Sequence, residues 1–273
     1  MDKYRIKPGQ NVHLKDFDPD DKSGWNRDKE SGDAKLVELR MELDHLQEVL
    51  YAENKRKILI VLQAMDTAGK DGTIRSVFQG VNPQGVRVAS FKVPSIAEQA
   101  HDYLWRIHAE APANGEIMIF NRSHYENLLV VRVHNLVPDK IWQRRFQHIN
   151  DFERMLADEG TAIIKFFLNI DLKTQKQRLM DRLNDPQKQW KLSTSDLPER
   201  KLWPAYTQAY EDVLSKTSTE YAPWYVVPSN HNWYRDLAVA SVIVDTLKML
   251  KPGFPKSTFD LEVYRTQLES EKD

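Results

Sequence analysis

The chain has no cysteine, which excludes disulfide frameworks, thiolate metal sites and cysteine nucleophiles together. It has no surplus of charge: 39 Lys and Arg stand against 40 Asp and Glu, a net charge of −1. The positive excess of a general nucleic-acid binder is therefore missing. No stretch approaches the roughly 18 consecutive apolar residues of a membrane span, and Met1 to Ile6 hold no apolar core of signal-peptide length. The expectation is a cytoplasmic globular protein without membrane or nucleic-acid partners. No internal repeat and no low-complexity tract interrupts it. What is present is a folding composition, 41% apolar and 29% charged over 273 residues, which excludes wholesale disorder and suffices for one large domain or two small ones.

The first thirty-odd residues are polar, with the run Asp16-Phe17-Asp18-Pro19-Asp20-Asp21, and read as a lead-in outside the core. From Asp33, Leu36, Leu39, Leu43, Leu46 and Leu50 recur at spacings of three and four, one face of a helix. That face docks either on its own domain or on a second subunit. Strand and helix then alternate. Apolar runs at 57–63, 86–91, 116–120, 161–170 and 224–227 read as strands, the first apolar enough to be buried on both faces. Helices are expected near 73–79, 95–109, 140–158, 174–183 and 234–250, and Asp196 with Glu199 has the spacing of a capping box. Such alternation implies α/β architecture, a parallel sheet with helices on both faces, and ligands beyond the carboxyl ends of the strands.

After the first strand comes Ala64-Met65-Asp66-Thr67-Ala68-Gly69-Lys70-Asp71-Gly72-Thr73-Ile74. A strand, a small-residue loop, Gly-Lys and a helix form the arrangement of a P-loop. Small residues let backbone N–H groups converge on phosphate, the helix N-terminus adds partial positive charge, and Lys70 adds a full one. The match is imperfect, since Ala64 stands for the first glycine and Asp71 for the magnesium-binding hydroxyl. An ordinary tight turn is the alternative. Asp66, a carboxylate inside a phosphate loop, reads as a ligand of magnesium or its water shell, or as a loop-stabilising Asx-turn. After the third strand comes Phe120-Asn121-Arg122-Ser123-His124-Tyr125-Glu126-Asn127. Arg122 offers bidentate donors to phosphate oxygens, with Glu126 four residues on. His124 is a candidate phospho-acceptor, or a packing residue. Lys92, Arg132, Arg178, Arg182, Lys188 and Lys191 add positive charge near the same sheet edge, as a small or linear polyanion would require.

These segments, with Leu129-Val130-Val131-Arg132-Val133-His134-Asn135-Leu136-Val137-Pro138 and Tyr221-Ala222-Pro223-Trp224-Tyr225-Val226-Val227-Pro228, resemble polyphosphate kinase family 2, in particular its third class, which handles nucleoside mono- and diphosphates. The likeness runs from about residue 4 to residue 250. It implies a P-loop kinase-like, thymidylate-kinase-like three-layer sandwich with a five-stranded parallel sheet and a helical lid. The parts would be an arm and amphipathic helix at 1–55, a kinase domain at 56–250 with its lid at about 172–200, and a tail at 251–273. It implies phosphate transfer between inorganic polyphosphate and adenine or guanine nucleotides such as AMP and ADP, with Mg2+ (or Mn2+), in a homo-oligomer. By matching position Asp66 and Lys70 become the acid and base of a variant Walker A motif and Arg122 the Walker B arginine. Thr67, Ala68, Gly69, Asp71, Gly72, Thr73, Arg75, Lys92, Asn121, Arg132, Arg178 and Arg182 join them in binding phosphate and nucleotide. Asn121 stands where other classes carry aspartate. Asn127 stands where this class carries aspartate, a metal ligand. An amide cannot hold magnesium firmly, so the residue reads as a substitution made to slow turnover, or as a natural variant that relies on Glu126. An ATP-dependent nucleotide kinase and a non-catalytic polyphosphate- or nucleotide-binding protein are the competing functions.

Overall fold

β-Branched and aromatic runs take extended backbone where both faces can be buried, and five such runs form one sheet. The computed structural model describes residues 1–271. In chain order the elements are α1 (Lys29–Glu53), β1 (Lys57–Ala64), α2 (Lys70–Val77), β2 (Val86–Ser90), α3 (Ile96–Gln99), α4 (Trp105–His108), β3 (Ile117–Asn121), α5 (Val130–Val133), α6 (Asp139–Asp158), β4 (Thr161–Asn169), α7 (Leu172–Asn184), α8 (Asp196–Lys201), α9 (Trp203–Thr217), β5 (Trp224–Pro228), α10 (Asn232–Leu250) and α11 (Leu261–Ser270). All strand pairs are parallel, in the order β2-β3-β1-β4-β5. The chain therefore leaves β1 toward one edge and later crosses to the other. The crevice between these crossovers, beyond the ends of β1 and β3, is where such sheets bind ligands.

Side chains of β1 alternate between two cores. Ile58, Ile60 and Leu62 pack with α1, α2 and α10, while Leu59 and Val61 pack with α6 and α9. The leucine face of α1 docks on α10 of its own domain, with Leu36, Leu39, Leu43 and Leu50 buried. Asp28 caps this helix by accepting the Ser31 N–H, so it begins seven residues before Leu36, the first of the leucine pattern.

Three expectations are corrected. The first thirty residues are not outside the core. Tyr4, Ile6, Val12 and Leu14 are buried, and the Ile6 N–H donates to the Trp224 carbonyl at 2.8 Å, fastening the arm beside β5. Residues 95–109 are not one helix but α3 and α4, because the Asp102 carboxylate accepts the Leu104 N–H and turns the chain. The capping box lies here, between Ser95 and Glu98. Asp196 is a first-turn residue of α8 that accepts the Ser193 N–H, and Glu199 turns elsewhere. The structure adds a long helix, α9, with Tyr210, Val213, Leu214 and Thr217 buried at helical spacing. In the expected tail, α11 is exposed throughout, and residues 272–273 lie outside the described residues. Among the described residues no helix is long and apolar enough to cross a membrane.

Candidate active site

The loop between β1 and α2 is shaped by its carbonyls. A loop whose N–H groups are to converge on an anion must turn its C=O groups the other way, and those oxygens need donors. Helix α7 supplies them for three successive residues. Gln175 Nε2 donates to the Asp66 carbonyl at 3.2 Å, and Arg178 Nη1 to those of Thr67 and Ala68 at 3.1 and 2.9 Å. From α10, Arg235 Nη1 adds a second donor to the Ala68 carbonyl. Thr67 has φ of +66° and Gly69 φ of +105°. The first is uncommon for a β-branched residue, and persists because its surroundings hold it. At Gly69 a Cβ would lie 2.1 Å from Arg235 Nη1, so backbone and buttress both require glycine.

Lys70, first residue of α2, rests its ammonium 3.4 Å from the Ala64 carbonyl. Burial, then the neighbouring Arg122, pushes it below the usual lysine value, against the pull of Asp66, Glu126 and Asp71. Asp71 accepts from Asn121 Nδ2 at 2.8 Å and faces Lys191 Nζ at 3.5 Å. Asn121 thus ties the end of β3 to the start of α2.

Beyond β3, Arg122 takes φ of +62° and donates its N–H to the Leu62 carbonyl. This aims the guanidinium across the β1 loop, with Nη2 3.2 Å from Asp66 Oδ1 and Nη1 3.7 Å from Glu126 Oε2. The Glu126 carboxyl is pushed above the ordinary glutamate value by burial, with Arg122 and Lys70 opposing the shift. The same turn sends His124 and Tyr125 inward, where both bind the buried Glu153. His124 has no exposure and is pushed below the usual histidine value by burial, so it is a packing residue and no phospho-acceptor.

A cavity of ≈ 50 Å³ lies over this cluster, with Asp66, Arg122 and Glu126 beneath and Glu199, Trp203 and Tyr206 above. Glu199 is held by His134 at 3.0 Å and by the Tyr206 hydroxyl at 2.8 Å.

The sequence-predicted residues divide accordingly. Asp66, Thr67, Ala68, Gly69, Lys70, Asp71, Gly72, Asn121, Arg122 and Glu126 converge on the ends of β1 and β3. Thr73 is buried in α2, its hydroxyl and that of Thr67 without a hydrogen-bond partner, while Arg75 is exposed. Lys92 is exposed beyond the end of the edge strand β2, and Arg182 is half-buried on α7. Arg178 is turned from a phosphate ligand into a buttress, its donors spent on Thr67, Ala68, Ser229, Asn230 and Asn232. Burial, then the adjacent Arg235, lowers it to about 10. Arg132 is not at the cavity either; it pairs with Asp212 at 2.6 Å and lies over the Trp142 ring. Asn127 does not line the cavity. Its amide donates to the His124 carbonyl at 3.3 Å, and its own carbonyl accepts from Arg145. Sequence reasoning missed Gln175, Glu199, Arg200 and Arg235. Only Gln175 left a signal, its spacing of three from Arg178 along α7.

The family whose model matches residues 26–255 is described as "Polyphosphate kinase 2 (PPK2)". The chain belongs to this family. It is 56% identical to the AMP/ADP-polyphosphate phosphotransferase of Meiothermus ruber, over 94% of this chain and 96% of that protein. It is 41% identical to the ADP-polyphosphate phosphotransferase of Rhodopseudomonas palustris, over 93% and 92%. The crystal structure of polyphosphate kinase 2 from Arthrobacter aurescens TC1 superposes with a TM-score of 0.95 at 42% identity, over 98% of this chain and 96% of that one. The PPK2 fold and the loop-plus-arginine cluster thus coincide in one enzyme of phosphoryl transfer.

Proposed function

We propose that this chain transfers phosphate between inorganic polyphosphate and adenine or guanine nucleotides, AMP and ADP among them. The observation that carries the reading is the convergence of the β1 loop, Lys70 and Arg122 on two carboxylates at the sheet's switch point. The names of the relatives support polyphosphate as the partner substrate.

Phosphoryl transfer needs positioning and charge neutralisation more than covalent help. The N–H groups of Thr67 and Gly69, opposite the tethered carbonyls of Asp66 and Ala68, receive phosphate oxygens together with the N–H groups at the start of α2 and the Lys70 ammonium. Arg122 swings from Asp66 and Glu126 to the migrating group. The terminal P–O bond of the donor breaks while an acceptor phosphate oxygen forms the new one, so the phosphate passes directly and no phosphoenzyme forms. The covering residues Glu199, Trp203 and Tyr206 exclude water and limit hydrolysis.

The donor set fits a hard divalent cation. Asp66 and Glu126 offer carboxylate oxygens to one cavity. Magnesium is bound by one or two protein carboxylates plus substrate phosphates and water, a number that Asp66 and Glu126 supply. When bound, the cation would neutralise phosphate charge beside Asp66. An aspartate at 127 could not donate to the His124 carbonyl and would be repelled from it, freeing a carboxylate to turn toward the cluster.

The test is ATP formation from ADP, polyphosphate and magnesium, by this chain and by its Asn127→Asp variant. Formation of ATP that requires polyphosphate is expected, and in the variant the magnesium needed for half-maximal rate falls. A chain that ignores polyphosphate but phosphorylates AMP from ATP would overturn the donor assignment. An unchanged magnesium requirement would remove position 127 from the metal site.

A further inference from the structure

We propose that Gln175 is a positioning residue that couples the seating of α8 over the site to the set of the phosphate loop. The inference rests on the reading of that loop as the phosphate site.

The ≈ 50 Å³ beneath Glu199, Trp203 and Tyr206 holds a water or two, well short of the roughly 300–1,000 Å³ of pockets that enclose drug-sized ligands. The cavity is partly open to solvent, and widening it to the size of a nucleotide on the side of Glu199, Trp203 and Tyr206 means displacing α8 and the start of α9. Arg200, on α8, is fastened to α7 at one end: its Nη1 donates to the Leu172 carbonyl at 2.9 Å and to Gln175 Oε1 at 2.6 Å. The other end of the same amide, Nε2, donates to the Asp66 carbonyl at 3.2 Å. Gln175 is 4% exposed, so bulk solvent does not reach its two bonds freely.

The chemistry of the link is one-directional. A guanidinium only donates and a backbone carbonyl only accepts, so the residue between them must accept on one side and donate on the other. Glutamine does this at the required length. Glutamate keeps the acceptor and loses the donor, and methionine loses both.

The bond to Asp66 decides the set of the loop. The Asp66 carbonyl and the Thr67 N–H belong to one peptide plane and point in opposite senses. Holding that oxygen toward α7 holds the N–H toward the phosphate side. The following residue, Thr67, is at φ of +66°, a conformation that a β-branched side chain disfavours, so the peptide stays there only under external constraint. With α8 seated, Arg200 fixes the Gln175 amide and the amide fixes the peptide. With α8 displaced, Gln175 has lost its partner and is free to rotate. The phosphate cradle is therefore complete only when the cover is closed, which ties transfer to water exclusion.

The experiment compares Gln175→Met, Arg200→Met, the double variant and Gln175→Glu in polyphosphate-dependent ATP formation, with thermal unfolding as the control on folding. Each single variant is expected to lower kcat about tenfold with the acceptor KM within about twofold, and the double variant to be no worse than the poorer single, because both cut one linkage. Gln175→Glu, which retains the Arg200 contact, is expected to lose as much as Gln175→Met. Activity of Gln175→Glu equal to the parent's, or losses that multiply in the double variant, overturns the coupling. If Gln175→Met does not fold, Arg200→Met alone decides, since an unchanged kcat there has the same consequence. A parent chain that makes no ATP from polyphosphate marks failure of the functional reading; an active parent with indifferent variants marks failure of this one.

Discussion

Replacing Lys165 by methionine should cost more stability than any surface change in this protein, and should reverse the sign of one pH dependence. Lys165 lies in β4 with no solvent exposure. Its ammonium donates to Glu153 Oε2 at 2.5 Å, the Tyr125 hydroxyl at 2.8 Å and the Thr217 carbonyl at 2.7 Å. Glu153 Oε1 receives His124 Nε2 at 2.9 Å and the Tyr125 hydroxyl at 2.8 Å. Three N–H donors therefore meet three acceptors. Burial alone would raise the Glu153 carboxyl, but Lys165 and His124 outweigh it and hold the group below its usual value. Methionine fills the space of the lysine stem without a donor, leaving a buried carboxylate facing no cation. Removing one partner of a buried pair costs about 3–5 kcal/mol, or about 10 °C in Tm at the 2–4 °C per kcal/mol of larger domains. Adding Glu153→Gln removes the orphaned charge while Oε1 still accepts, so the double variant should recover about 1–3 kcal/mol. In the parent, the contribution of Glu153 is full above its unfolded value and lost as pH falls through its lower folded one. In Lys165→Met burial prevails, the folded value rises above the unfolded one, and the contribution is lost as pH rises through it. Urea unfolding between pH 5 and 8 should thus show the deficit of the variant shrinking toward pH 5. A cost below about 1 kcal/mol, typical of exposed pairs, or a double variant at the sum of the singles, would refute the reasoning.

Two further outcomes follow from the site. Glu126→Gln removes a carboxyl that burial keeps above its ordinary value; such a group stabilises below its unfolded value and loses that contribution as pH rises through the folded one. The variant should therefore match or exceed the parent's Tm at pH 7–8 and lose that advantage near pH 4. Its rate should fall about a hundredfold, as for loss of one preorganised electrostatic group, and the acid limb of the parent's pH–rate profile should lie above the normal glutamate range; a variant at full rate would discard the role. Gly69→Ala sets a Cβ 2.1 Å from Arg235 Nη1 at φ of +105°. Strain of about 1–2 kcal/mol plus a displaced Arg235 should lower Tm by a few degrees and raise the KM for polyphosphate, and steady-state kinetics unchanged from the parent's would contradict the buttress account.

Where the sequence was legible, the signal was local. The strands announced themselves as apolar runs, and the loop from Ala64 to Lys70 by small residues before Gly-Lys, because those features are written in side chains. The buried arm was illegible for the opposite reason. Ile6, Val12 and Leu14 are isolated in polar surroundings and become core only through long-range partners, such as the bond from Ile6 to the Trp224 carbonyl across the sheet. Arg178 shows the deeper limit. Its charge was visible and suggested phosphate, but its partners are four backbone carbonyls and one side-chain amide oxygen, and every residue carries a carbonyl. A cation that will meet phosphate and a cation that will hold the loop that meets phosphate look alike in a sequence. Only the direction of the Thr67 and Ala68 carbonyls separates them, and that direction is fixed by the strained loop itself. A like divergence separates Glu126 from Asn127: adjacent in the chain, one carries its carboxylate to the cavity and the other turns its amide back onto the His124 carbonyl, and the turn that holds them, pinned through His124 and Tyr125 by the buried Glu153, decides which of the two side chains faces the cavity.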